Sequence, residues 1–166
     1  MQHYVRDLQS IVERAATELL ALSDAQSRLH PAPGKWSPRE IIGHLIDSAS
    51  VNHQRFVRAQ FQDDLVFAGY EQDAWVKVQH YNDVALPELV TLWRSLNQHL
   101  ARVMAATPEA VRLAEHARHN LDAIASKAVP ADKPATLDYF MADYVGHLKH
   151  HLRQILGPDW DVPGAR

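Results

Sequence analysis

The chain has 166 residues, a net charge of -3, eleven histidines and no cysteine. The length suits a single domain over residues 1–166, able to bury most of the surface that its unfolded form would expose. Missing thiols exclude disulfides, thiolate zinc sites, iron–sulfur clusters and cysteine nucleophiles, so any metal must be held by imidazole, carboxylate or water.

The slightly acidic balance, without a block of clustered Lys and Arg, argues against a nucleic-acid surface. The start Met1-Gln-His-Tyr-Val-Arg-Asp-Leu carries no signal-like apolar region, and no apolar run reaches the length of a membrane span, so a soluble cytoplasmic protein is expected. From the first residues onward the apolar spacing is helical. Val5, Leu8, Ile11, Val12, Ala15, Ala16, Leu19 and Leu20 predict a first helix over His3 to Leu22. Ser23 to Lys35, with Pro31, Pro33 and Gly34, reads as a loop. Ser37-Pro38-Arg39-Glu40 has the form of a capping box with proline at the first helical position, and opens a second helix running to about Phe61.

Asp63 to Asp83 is the least regular stretch, with a short helix predicted at Asp73 to Gln79. A third helix runs from Pro87 to Ala106 on Leu89, Val90, Leu92, Trp93, Leu96, Leu100, Val103 and Met104. Thr107-Pro108-Glu109 begins a shorter, more polar helical piece, and Glu115 to Lys133 is a long connection. Thr136 caps the last helix, which Gly157-Pro158 ends. Four long amphipathic helices and no strand pattern predict an all-α four-helix bundle with short extra helical segments in its connections.

Chemistry concentrates in the histidines. His147 and His151 are four residues apart, so on a helix their rings differ by about 40° around the axis and lie one turn apart. They run along or beside the stripe Phe140, Tyr144, Leu148 and Ile155, which points them inward. A His-x-x-x-His pair taken alone is more often a pair of core-edge histidines satisfied by hydrogen bonds. His44, bordering the stripe Ile41, Leu45, Ala49, Asn52 and Phe56 of the second helix, supplies the third ring that makes a metal site the sharper reading. His150 turns about 60° from His147 and about 100° from His151, which suits the rim of such a site. His53 lies about 180° around its helix from His44. His116 and His119 sit in a polar stretch read as solvated loop, and His3, His30, His80 and His99 have no partner at ligand spacing. No Glu-x-x-His, Gly-rich phosphate loop, nucleophile elbow or His-Glu-x-x-His motif is present.

Two segments carry a resemblance to a known family. Trp36-Ser-Pro-Arg-Glu-Ile-Ile-Gly-His44-Leu-Ile-Asp47 resembles the helix-two signature of the DinB/YfiT-like superfamily, and Asp143-Tyr144-Val-Gly-His147-Leu-Lys-His150-His151-Leu-Arg-Gln154-Ile155 resembles its C-terminal signature. The resemblance implies a four-helix bundle, often a homodimer, holding a divalent metal on His44, His147 and His151. Members of the family include metal-dependent hydrolases and transferases or isomerases that use a low-molecular-weight thiol, and some have lost the ligands, which this chain keeps.

Three neutral imidazoles leave a bound ion strongly Lewis acidic, able to activate water or a thiol at an open position. The alternative is a non-catalytic bundle that binds a metal or small ligand. Zinc, nickel, manganese and iron all remain open, with imidazole favouring the later first-row metals. Asp47, Asp143, Tyr144 and His150 are candidates for a general base or for orienting a ligand, and the sequence does not assign the role.

Overall fold

Four apolar stripes of the kind just described need one another's cover, and in the computed structural model, which describes residues 2–161, they find it. The frame is α1 (His3–Leu20), α3 (Pro38–Arg58), α5 (Leu86–Ala106) and α8 (Leu137–Leu156). Between them run α2 (Asp24–Arg28), α4 (Gln72–Gln79), a 3-10 turn (Tyr81–Asp83), α6 (Glu109–Leu113) and the single turn α7 (Leu121–Ile124). The broadest contacts join α5 to α3 and to α1, while α8 packs on both α1 and α3. Leu8, Val12 and Leu19 of α1 meet Ile42 and Phe56 of α3, Trp93, Leu100 and Met104 of α5, and Leu148 and Leu152 of α8 in one core that excludes water. The fold is the four-helix bundle that the periodicity predicts. Among the described residues, no helix is long and apolar enough to cross a membrane.

The start of α3 is fixed from both sides. Ser37 Oγ accepts from the Glu40 amide at 3.3 Å, and Glu40 Oε2 accepts from the Ser37 amide at 2.7 Å. Such a cap contributes about 1 kcal/mol. Arg39, next to it, is 1 % exposed. Its guanidinium donates to Ser27 Oγ at 2.9 Å and to the Val84 carbonyl at 2.8 Å, and it pairs with Asp24. One side chain thereby ties α2 and the segment after the 3-10 turn to the first turn of α3. The stretch Ser23 to Lys35 is therefore not wholly loop. Ser23 and Gln26 form a second capping box, a Ser-x-x-Gln pattern that was available in the sequence and starts α2.

The long connection after α6 is also more structured than expected. Glu115–His116 (β1) and Ala135–Thr136 (β2) form a two-residue antiparallel ladder, and Leu65 bridges to His119. Asn120 bonds the Phe67 backbone through both its side-chain oxygen (3.1 Å) and its side-chain nitrogen (2.8 Å). Leu121 is wholly buried beneath this zip. His119 is consequently not a solvated loop residue. It is 8 % exposed, with Nε2 2.7 Å from the Lys133 carbonyl and Nδ1 accepting from the Leu121 amide at 3.2 Å. Both ring nitrogens serve the loop backbone, which leaves a structural role. His116 is half-buried, its Nδ1 3.0 Å from the Asp63 carbonyl.

Position 43 must be small because the Tyr81 ring lies against it. A Cβ built on Gly43 would stand 2.0 Å from Tyr81 Cδ2 and 2.2 Å from Cγ. Those atoms lie at the root of the ring, so the side chain cannot simply swing away. Gly43→Ala therefore destabilises the chain by roughly 1–3 kcal/mol through overpacking, against a helix-propensity gain of about 1 kcal/mol. Urea denaturation of the two proteins measures the sign, and a variant as stable as the parent would show that the ring is not fixed there.

Candidate metal centre

Where α3 and α8 cross, His44 Nε2 stands 3.3 Å from His147 Nε2, which stands 3.1 Å from His151 Nε2. The ligand atoms of all three rings lie within 4.8 Å of one another. A tetrahedral ion with Nε2 atoms at about 2.0–2.1 Å needs nitrogen separations of about 3.3 Å, so the donor set fits a four-coordinate cation that keeps a position open. The rings stand edge to face, with interplanar angles of 72° for His44 with His147, 67° for His44 with His151 and 72° for His147 with His151. The structure brings together the three histidines singled out in the sequence.

Burial decides their charge. His44 is 1 % exposed. Loss of water lowers its pKa to about 4, helped by the nearby His151, and lowers that of His147 to about 3, helped by the other histidines around it. His151 is lowered for the same reason, partly offset by its hydrogen bond to Gln154 and pushed down again by His150. Neutral rings at neutral pH are what a ligand set requires.

Two neighbours shape the site. Gln154 Oε1 lies 2.9 Å from His151 Nδ1, a contact that places the imidazole proton on Nδ1 and leaves the Nε2 lone pair facing the other histidines. The same amide lies 3.2 Å from His150 Nε2, which puts His150 on the exposed rim, as its angle on the helix predicts. Trp36 covers the centre, its ring 5.0 Å from that of His44 and 6.5 Å from that of His151. Spacing along one helix assigns no role to Gln154 or Trp36. A side chain one turn beyond a ligand, and an aromatic one residue before the Ser37 cap, were the available signals.

Three of the candidate bases make hydrogen bonds away from the rings, although the buried Asp47 Oδ2 is left without a partner. Asp47 Oδ1 accepts from Tyr81 Oη at 2.7 Å and Gln79 Nε2 at 2.8 Å. Burial raises its pKa against the lowering effect of those two bonds. Asp143 accepts the amides of Ser126 and Lys127, each at 2.8 Å, and so clamps the loop beneath α7 to α8. Tyr144 is buried and donates to Asn97 Oδ1 at 2.5 Å, with burial pushing its pKa well up. His53 has turned away from the centre and faces His99 of α5, ring centroids 4.9 Å apart, a contact between helices that spacing along one helix does not reveal.

Besides a third cleft that His147 shares with His150 on the outer side of α8, the histidines stand between two clefts. One, of about 460 Å³, is lined by His44, Ser48, Asn52 and Arg55 of α3, Tyr70 before α4, and Phe140 and His147 of α8. The other, of about 590 Å³, is lined by His151 and Gln154 together with Trp36, Leu29, Pro31 and Ile155.

A helical bundle with three convergent imidazoles on two crossing helices defines a class of candidate metalloproteins. The DinB superfamily model matches residues 10–155, and the chain belongs to that superfamily. Among solved structures it is similar to YfiT from Bacillus subtilis, described as a probable metal-dependent hydrolase with an unusual four-helix bundle topology. The TM-score is 0.76 at 16 % identity, covering 94 % of this chain and 83 % of that one. At that identity the likeness carries the fold. No curated protein matches the chain significantly.

The depressed pKa values set a pH dependence. Folded His44 and His147 titrate at about 4 and about 3, against about 6.5 in the unfolded chain. Between those values the unfolded chain binds more protons, so stability rises with pH and is lost on acidification from about 6.5 downward. Metal-free protein therefore melts lower at about pH 5 than at about pH 7, and the His44→Ala, His147→Ala, His151→Ala triple variant loses less over the same interval. Equal losses in paired melting curves would contradict the burial account. For Gln154→Leu the expected result is a metal affinity weaker by about 10–100-fold, read by competition with a chromophoric chelator, whereas unchanged affinity would remove Gln154 from the site.

Proposed function

We propose that His44, His147 and His151 hold a divalent metal ion and that the chain is a metal-dependent enzyme acting on a small molecule in the cleft beside them. The observation that carries this is the convergence of three neutral Nε2 atoms, 3.1 and 3.3 Å apart, at the wall of a cavity. The similarity to YfiT, a probable metal-dependent hydrolase, supports hydrolysis as one form of the reaction, and the thiol-dependent S-transfer implied by the family resemblance is the other. When bound, a divalent ion on neutral ligands supplies Lewis acidity that lowers the pKa of a water or thiol brought to it. The chain's own residues do the rest. Gln154 sets the His151 proton on Nδ1, Trp36 shields one side of the rings from water, and Asp143 holds the loop that forms part of the cleft wall.

A second reading, a non-catalytic bundle that binds a metal or small ligand, is favoured by one observation. Asp143 is held by two backbone amides at 2.8 Å and Asp47 Oδ1 by two side-chain donors, so of these two carboxylates only the buried Asp47 Oδ2 is left without a donor, and both side chains are engaged in holding structure. Metal analysis followed by activity screening separates the two. Purified protein contains about one divalent ion per chain, removable by chelator, and each single alanine substitution of the three histidines abolishes most of it. Metal-loaded protein then hydrolyses an ester or amide, or joins a small thiol to an electrophile, while chelated protein does not. Full occupancy in the triple variant would sink the site, and bound metal without either activity would leave the binding reading.

A further inference from the structure

Arg55 is the cation that the histidine chemistry leaves unexplained. It is 6 % exposed, yet no carboxylate among the described residues pairs with it. Its Nη1 donates to Asn52 Oδ1 at 3.3 Å and its Nη2 to the Ala68 carbonyl at 2.7 Å, both neutral oxygens, and its buried Nε finds no partner. The guanidinium lies 5.9 Å from the Phe140 ring. A guanidinium has five N–H donors and a fork that matches carboxylate or phosphate. Burying it uncompensated is costly, and an incoming anion removes that cost. Three other cleft-lining groups are acidic. Asp143 is bound by backbone amides, while Glu71 and Asp73 are exposed on the lip, where water screens them.

The position along α3 sets the size of the ligand. Arg55 follows His44 by eleven residues, which returns it to within about 20° of the same face and about 16 Å further along the axis. Ser48 and Asn52 fill the row between, and all four line the same cavity. We propose that Arg55 is an anion-recognition residue, and that the cleft takes an elongated small molecule whose carboxylate or phosphate end is held by this guanidinium while its other end reaches His44 and His147. This rests on reading that cleft as the substrate site, but the anion contact itself needs no metal.

The test uses full-length, isotope-labelled protein without metal. Butyrate, inorganic phosphate and the neutral butyramide are titrated separately while the Arg55 Nε–Hε resonance, assigned by its loss in Arg55→Lys, is followed. The expected result is a saturable shift with butyrate or phosphate, which also tells the two anions apart, and none with butyramide. Backbone amides near Ala68 report binding to Arg55→Lys weakened by about tenfold, the scale of one charged hydrogen bond. The triple histidine variant keeps the anion shift. A butyramide shift as large as the anion's, no shift with either anion, or undiminished binding to Arg55→Lys each overturns the proposal. An anion shift in a protein that takes up no metal would support Arg55 and refute the metal reading, and normal metal uptake without the shift would do the reverse.

Discussion

Three imidazoles, one buried and two half-buried, aimed at one point are the constraint on which the remainder of the structure depends. A rotation of α3 or α8 by one residue, about 100°, would carry a ring off the common centre. The register of both helices must therefore be held hard. Arg39, from within the first turn of α3, reaches Ser27, Asp24 and the Val84 carbonyl. Gly43 lets the Tyr81 ring lie flush on α3, and Tyr81 in turn bonds Asp47, one turn beyond His44. On α8 the Asp143 carboxylate grips two amides of the preceding loop, one turn before His147. The carboxylates nearest the three histidines in sequence thus secure the helices that present the rings.

What could be read from the residues was whatever lies on one helix. The spacing of His147 and His151, the Ser37–Glu40 cap and the apolar rows of the long helices are local, and a period of about 3.6 residues states them directly. Contacts made between loops escaped. Leu65 meets His119, and Asn120 binds the Phe67 backbone, across gaps of more than fifty residues in which no periodicity operates. His119 therefore looked solvated when its ring in fact stitches two backbone segments together. Arg55 is illegible for the same reason, because a cation on a helix is ordinarily solvated, and only the segment near Ala68 closing over it shows that it is not. The small capping box at Ser23 was local and legible, but the prolines that follow made the whole stretch look like loop.

The two clefts differ in chemistry while sharing Gln72 and Asp73 at the start of α4. Ser48, Asn52, Arg55 and Tyr70 give the first a polar lining, and burial pushes the Tyr70 hydroxyl up to about 12, so it stays protonated. Leu29, Pro31, Trp36, Ile41 and Ile155 make the second largely apolar. The histidine cluster forms a partition between them, with His44 and His147 facing one side and His151 the other. A reacting group at the partition could be approached from a wet side and a greasy side at once.

The separation of His44 from His147 is 103 residues. An ion shared between them would tie together two helices that far apart in the chain, and the tie would hold only while both helices stay in place. Two of the three anchors lie one turn apart on α8, so that helix alone could retain a weakly held ion after the bundle opens, whereas the long tie is broken the moment α3 departs. Escape of the ion would then be gated by separation of two helices far apart in the chain, making residence time a property of the bundle's breathing as much as of ligand affinity.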